Sequence, residues 1–193
     1  MSFMRIVAPL FVLVFCWTCF GRAADRVETV LAEGSGLEIR GRSNITGFAC
    51  EYTESISSDT LVHWVLLDDA VRVTQAHPIK LQVRAFDCGN RFITRDLRRT
   101  LQSDRFPHMQ LRLHQLDIAD AASFSVQVYV SIVGVERLCT VTIEEVARGA
   151  HGLRVRGVGQ IDLSAFSIRP VSSMWGLLRV DERIDIAFDL LLR

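Results

Sequence analysis

Residues 124–132 read FSVQVYVSI, with apolar and polar side chains taking turns at every step. Phe124, Val126, Val128, Val130 and Ile132 fall on one side of an extended chain, and Ser125, Gln127, Tyr129 and Ser131 fall on the other. A period of two marks a strand with one face buried and one face wet, because successive side chains of an extended backbone point to opposite faces. The same alternation returns on both sides of this stretch. LQVRAF (81–86) and MQLRLH (109–114) precede it, and LCTVTIEEV (138–146), LRVRGVGQI (153–161) and IDIAFDL (184–190) follow. The joints are short and rich in turn-forming residues: LDDA (67–70), IADAAS (118–123), VGVE (133–136) and ARGAHG (147–152). Strands in this succession, without alternating helices, predict an all-β sandwich or barrel in a single domain.

One stretch departs from the pattern. FDCGNRFITRDLRRTLQSDRFP (86–107) offers Asn90 as a helix N-cap and places Ile93, Leu97 and Leu101 at helical spacing. Arg91, Arg95, Arg98 and Arg99 share the opposite side, and Pro107 blocks continuation. The spacing predicts one short amphipathic helix over about 91–102, packed on the β framework. Its basic face reads as a solvated surface or as a docking surface for anionic headgroups or a partner.

The N-terminus sets the expected compartment. Arg5 precedes the apolar run IVAPLFVLVFCWTCF (6–20), and GRAAD (21–25) supplies small residues for cleavage. This is the layout of a secretory signal peptide, cut after Ala23, leaving a domain over 24–193 in the periplasm or outside the cell. Removing Arg5 and Arg22 from 22 basic residues leaves 20 against 22 acidic, a net of −2. Such a balance gives no electrostatic footprint for nucleic acid. Three cysteines then remain, Cys50, Cys88 and Cys139. Cys50 and Cys88 each follow a phenylalanine by two residues in an apparent strand, and these two are paired. On the chain-entropy account, closing that loop contributes roughly 4 kcal/mol. Cys139 shares a face with Val141 and Ile143 and reads as a small buried hydrophobe.

Catalytic chemistry has little to stand on. The five histidines are dispersed, none at ligand spacing with a carboxylate, and no metal site is expected. No nucleophile elbow, P-loop or dinucleotide fingerprint occurs. What remains is the barrel interior, which side chains can fill or which can hold one small ligand. Alternation nominates Leu81, Val83, Leu111, Leu113, Phe124, Val126, Val128, Val130, Ile161, Ile186 and Phe188 as lining. Met174, Trp175 and Leu177, in SSMWGLL (172–178), form an apolar loop that could be a tunnel mouth or a plug.

Four segments in order carry a resemblance: SNITGF (43–48), VRAFDCGNRFITRDLRRTLQSDRFPHMQLRL (83–113), VGVERLCTVTI (133–143) and IDLSAFSIRPVSSMWGLLRVDERIDIAFDL (161–190). Together they resemble the YceI-like family of bacterial exported proteins, from Ser43 to the C-terminus. The resemblance implies an extended antiparallel lipocalin-like barrel of about eight strands, and a polyisoprenoid or other long amphiphile as ligand. The chain departs from the family at GSGLEIRGRSNITGF (34–48), where many relatives carry an Asp-His-Ser-bearing opening. The expectation is a non-enzymatic carrier with no cofactor, holding a lipid such as an isoprenoid quinone. It would touch membrane surfaces transiently, and a homodimer is left open. The rival is a filled-core protein that binds a partner through the arginine face or the 172–178 loop.

Overall fold

The structure is a computed structural model that describes residues 26–56, 61–67, 70–120, 123–170 and 179–193. In chain order the strands are β1 (Arg26–Val30), β2 (Gly36–Arg42), β3 (Gly47–Tyr52), β4 (Leu61–Leu67), β5 (Ala70–Ala76) and β6 (Ile79–Gln82). A 3-10 turn (Val83–Ala85), β7 (Phe86–Asp87) and helix α1 (Arg91–Thr100) follow. The long strands come last: β8 (His108–Asp120), β9 (Ser123–Ile132), β10 (Val135–Gly149), β11 (Gly152–Asp162) and, after a 3-10 turn at Leu163–Phe166, β12 (Arg183–Leu192).

Nine of these strands form one antiparallel sheet in the order β6-β8-β9-β10-β11-β12-β2-β3-β7. Its two edge strands, β6 and β7, are one stretch of chain interrupted by the Val83–Ala85 turn. The sheet therefore curls round and meets itself. Across the break, the Val83 N–H donates to the Pro107 carbonyl at 2.8 Å and the Thr53 N–H donates to the Ala85 carbonyl at 3.0 Å. Counting the broken strand once gives an eight-stranded, nearly closed barrel, as the alternation and the family resemblance imply. The chain LQVRAF, expected as one strand, is instead strand, turn and strand. Leu81, Val83 and Ala85 stay buried throughout.

A second sheet, β1-β4-β5, prolongs the barrel at one end. Beyond β1 the chain runs onto the end of β12: the Val30 N–H donates to the Arg193 carbonyl and the Ala32 N–H to the Leu191 carbonyl, each at 2.7 Å. On the other side β5, which leads into β6, lies alongside β8. The long strands thus span two regions. One end is closed by β2, β3, β6 and β7, and the other is flanked by β1, β4 and β5. At about 3.4 Å per residue, β10 alone runs on the order of 50 Å.

The hydrophobic core gathers at the first of these ends. Ile39, Cys50, Leu81, Val83, Phe86, Phe166 and Ile168 are essentially without solvent contact, and Met109, Val130, Ile132, Ile161 and Ile184 are among those that join them. Leu37 on β2 and Leu31 before it carry the cluster toward the other end. Helix α1 lays Ile93, Leu97 and Leu101 against it. The Asn90 side chain caps the helix, accepting from the Phe92 N–H at 2.8 Å. The helix ends at Thr100 rather than near 102, because Gln102 adopts a left-handed backbone (φ 49°) and breaks the helical progression. The Cys50–Cys88 disulfide is formed. Thr94 explains the cysteine beside the helix: its hydroxyl accepts from the Cys88 N–H (3.0 Å) and donates to Asp87 (3.2 Å). Bridge and hydroxyl together fasten α1 to β3 and β7, which strand pairing alone could not do.

Candidate binding chamber

Strand register determines which residues face inward. Phe124 stands opposite Ile143, Val126 opposite Val141, and Val128 opposite Cys139. Across the next pairs, Val141 faces Gly159 and Ile143 faces Gly157. Gly157 then meets Phe188, Gly159 meets Ile186 and Ile161 meets Ile184. Phe188 and Ile186 meet Leu37 and Ile39, and Ile39 meets Cys50. Directly opposed residues share a face, so the buried Ile39 and Ile161 fix this whole row as the inner wall. It is almost wholly apolar. On β10, Arg137 interrupts the row, and it is exposed.

Two glycines shape the wall. A Cβ on Gly157 would come within 2.4 Å of the Phe188 ring and 2.3 Å of the Thr142 carbonyl oxygen. On Gly41 it would meet the Phe48 ring at 2.3 Å. At each glycine an aromatic ring occupies the space that a side chain would need.

Exposure divides this wall into two zones. Leu81, Val83, Val130 and Ile161 are buried in the packed core. Leu111, Val128, Ile186 and the free Cys139 lie at its border, half-buried against it. Leu113, Phe124, Val141, Val155 and Phe188 lie beyond the core cluster and are half-buried, with Val126 more covered among them. Close-packed interiors leave inward side chains almost no accessible surface. The half-buried side chains are therefore packed less fully than the core, although Leu37, Val126 and Ile143 on the same wall are buried. Past the β10 bulge between Ile143 and Glu145, no residue of β10 is buried, and Val146, which pairs with Val155, is 47% exposed.

The residues nominated from sequence therefore fall into a plug, a border and a chamber wall. Trp175, with Met174 and Leu177, lies outside the described residues. Alternation alone had left out Leu37, Val141, Val155 and Leu190, which register adds to the same face. LCTVTIEEV and LRVRGVGQI already carry the period that would nominate the two valines. Cys139 sits where plug and chamber meet, and burial pushes its thiol pKa up, which keeps it protonated and poorly nucleophilic. Among the described residues, no three of His, Cys, Asp and Glu come together as metal ligands would.

The arginine face lies outside the barrel. Arg91, Arg95 and Arg99 are exposed, whereas Arg98 is half-buried and donates from Nη2 to the Arg84 carbonyl at 2.7 Å. Two adjoining clefts of about 600 and 530 Å³ open here, sharing Arg84, Arg95 and Arg98 as a common wall.

No protein-family profile matches the sequence, and no curated protein resembles it in sequence. Solved structures do resemble it in fold. BcnA of Burkholderia cenocepacia superposes with a TM-score of 0.62 at 15% identity, covering 82% of this chain and 96% of that one. A polyisoprenoid binding domain from Saccharophagus degradans gives 0.56 at 11% identity, over 86% and 97%. The YCEI protein of Campylobacter jejuni gives 0.50 at 14%, over 70% and 83%. The chain has the YceI-like fold, an all-β lipocalin-like barrel with a helix packed on it.

Proposed function

We propose that this protein is an exported, non-enzymatic carrier that holds an isoprenoid or other long-chain amphiphile in its barrel. One observation carries the reading: an apolar inner wall, from Leu113 and Val141 to Phe188, remains half-buried beyond a filled core. Each methylene withdrawn from water into such a space contributes roughly 0.8 kcal/mol, so a chain of a few isoprene units would be held firmly. The solved polyisoprenoid binding domain with the same fold supports the ligand class. The apolar leader ending near Ala23 supports a periplasmic or secreted mature chain over 24–193.

Native mass spectrometry of protein purified from a bacterial host that exports it tests the reading directly. A discrete added mass lost on solvent extraction is the expected result. A bare mass, with no uptake of prenyl quinones or fatty acids in titration, would leave the partner-binding alternative. Cys139 offers a second readout in the mature chain. A maleimide should modify it slowly in the loaded protein and faster after extraction.

A further inference from the structure

Six arginines line the two outer clefts. Arg84 comes from the 3-10 turn, Arg91, Arg95, Arg98 and Arg99 from α1, and Arg105 from the turn after it. Three carboxylates accompany them, and each has a partner: Asp87 accepts from the Thr94 hydroxyl, Asp104 pairs with Arg84, and Asp96 lies 3.7 Å from Arg95. No ion pair among the described residues engages Arg91, Arg99 or Arg105. On a chain with formal net charge of zero, this is a strong local excess of positive charge.

Two details point to what the face meets. Phe92, in the first turn of the helix, is 51% exposed, with the guanidinium of Arg91 4.7 Å and that of Arg95 5.5 Å from the ring centre. Apart from those two guanidiniums, no ring or cation among the described residues is stacked on it. Further along the helix, the Nε of Arg98 is buried without a hydrogen-bond partner, in a side chain that walls both clefts. The helix lies flat with Ile93, Leu97 and Leu101 turned into the core, so its basic side is presented along its full length, about 15 Å. Shallow clefts strung along a helix, rather than one deep pocket, match a row of spaced anionic headgroups. A half-exposed phenylalanine between cations matches the boundary between headgroups and acyl chains.

We propose that this face is a docking surface for anionic phospholipid membranes. Arg91, Arg95, Arg99 and Arg105 supply the attraction and meet the phosphate oxygens, Arg84 and Arg98 wall the clefts, and Phe92 dips into the interface. The surface is separate from the barrel interior and needs no ligand there.

The test uses the chain from Ala24 onward, which contains every described element of the fold, and removes the apolar leader that would bind any vesicle. Sedimentation with phosphatidylglycerol–phosphatidylcholine vesicles should show binding that weakens as salt rises, with little binding to pure phosphatidylcholine. The triple variant R91Q/R95Q/R99Q should bind about a hundredfold more weakly, at about fivefold per charge near an anionic surface. Its unfolding midpoint should hold, because these side chains are exposed and, among the described residues, only Arg95 makes an ion pair, with its neighbour Asp96. F92S should weaken binding several-fold and leave the salt dependence intact. Equal affinity for both vesicle types, an unweakened triple variant, or no binding at low salt would each overturn the proposal. So would displacement by inorganic phosphate at matched ionic strength, which would make the face a site for a soluble anion.

Discussion

The two ends of this barrel share the same five long strands and are held together by different forces. At the helix end, β8 to β12 converge on a filled core, a disulfide and a capped helix. At the hairpin end, where β10 turns into β11, backbone pairing continues but no residue of β10 beyond Ile143 is buried, and the buried side chains there are few, Leu31 beside Leu192 among them. There the outer surface carries a ladder of charges. Asp189 accepts from Arg154 at Nη2 (2.8 Å) and from Arg156 at Nε (3.0 Å), and Arg156 reaches Glu145 at 2.8 Å. The difference teaches that one set of long strands can be close-packed at one end and more sparsely packed at the other. The packed end provides the stability, and the other can keep an apolar wall unfilled.

The largest effect should come from truncation inside the plug. Phe86 is fully buried and its ring meets Tyr52 edge-on at 5.2 Å. Phe86→Ala should cost about 3–5 kcal/mol in urea unfolding. Phe188→Ala, on the chamber wall, removes a ring of the same size that is only half-buried. It should cost less than half as much, yet lower retention of a prenyl quinone in titration. If the two variants lost equal stability, the division of the interior would be wrong. The Cys50→Ser/Cys88→Ser double variant comes next, at roughly 2–4 kcal/mol, with loosening read by hydrogen exchange in α1 and β3 and none in the β10–β11 hairpin. Gly157→Ala should follow at about 1–3 kcal/mol, since the new methyl must displace both a backbone carbonyl and the Phe188 ring. Its sharper signature is ligand affinity, because the displaced ring lines the chamber.

Much of this was legible from residues alone. Period-two stretches marked the long strands, Asn90 marked the helix start, and the matched spacing of Phe48-Cys50 and Phe86-Cys88 marked the bridge. The division of the interior was not. Leu81 and Leu113 look alike in sequence, each apolar in an alternating run. Leu81 faces the core of the helix end, while Leu113 lies beyond that core. Burial at an inward position depends on what stands across the barrel, and that partner is remote in sequence. The break at Val83–Ala85 was hidden for a related reason. Its buried residues keep the spacing of a strand while the backbone turns to satisfy Pro107 on one side and Thr53 on the other.

The smallest effect concerns acid, and it should appear at only one end. The hydrogen bond from Arg154, aided by Arg156, holds the Asp189 carboxyl below its usual range. Its folded pKa is therefore lower than its unfolded value of about 3.9, so its contribution is fully present above that value and fades as pH falls through the folded pKa. The pair is largely exposed and screened, and its share of global stability is slight. Locally it matters more, because little is buried around it. Below about pH 4, hydrogen exchange should quicken at Leu153–Arg156 and along the facing part of β12, while Leu81, Val130 and Ile161 keep their protection. Asp189→Asn should remove that acid step and raise exchange in the hairpin at neutral pH. If acid instead loosened the core and the hairpin together, the two ends would form one cooperative unit, and the chamber would owe its openness to something other than weaker packing.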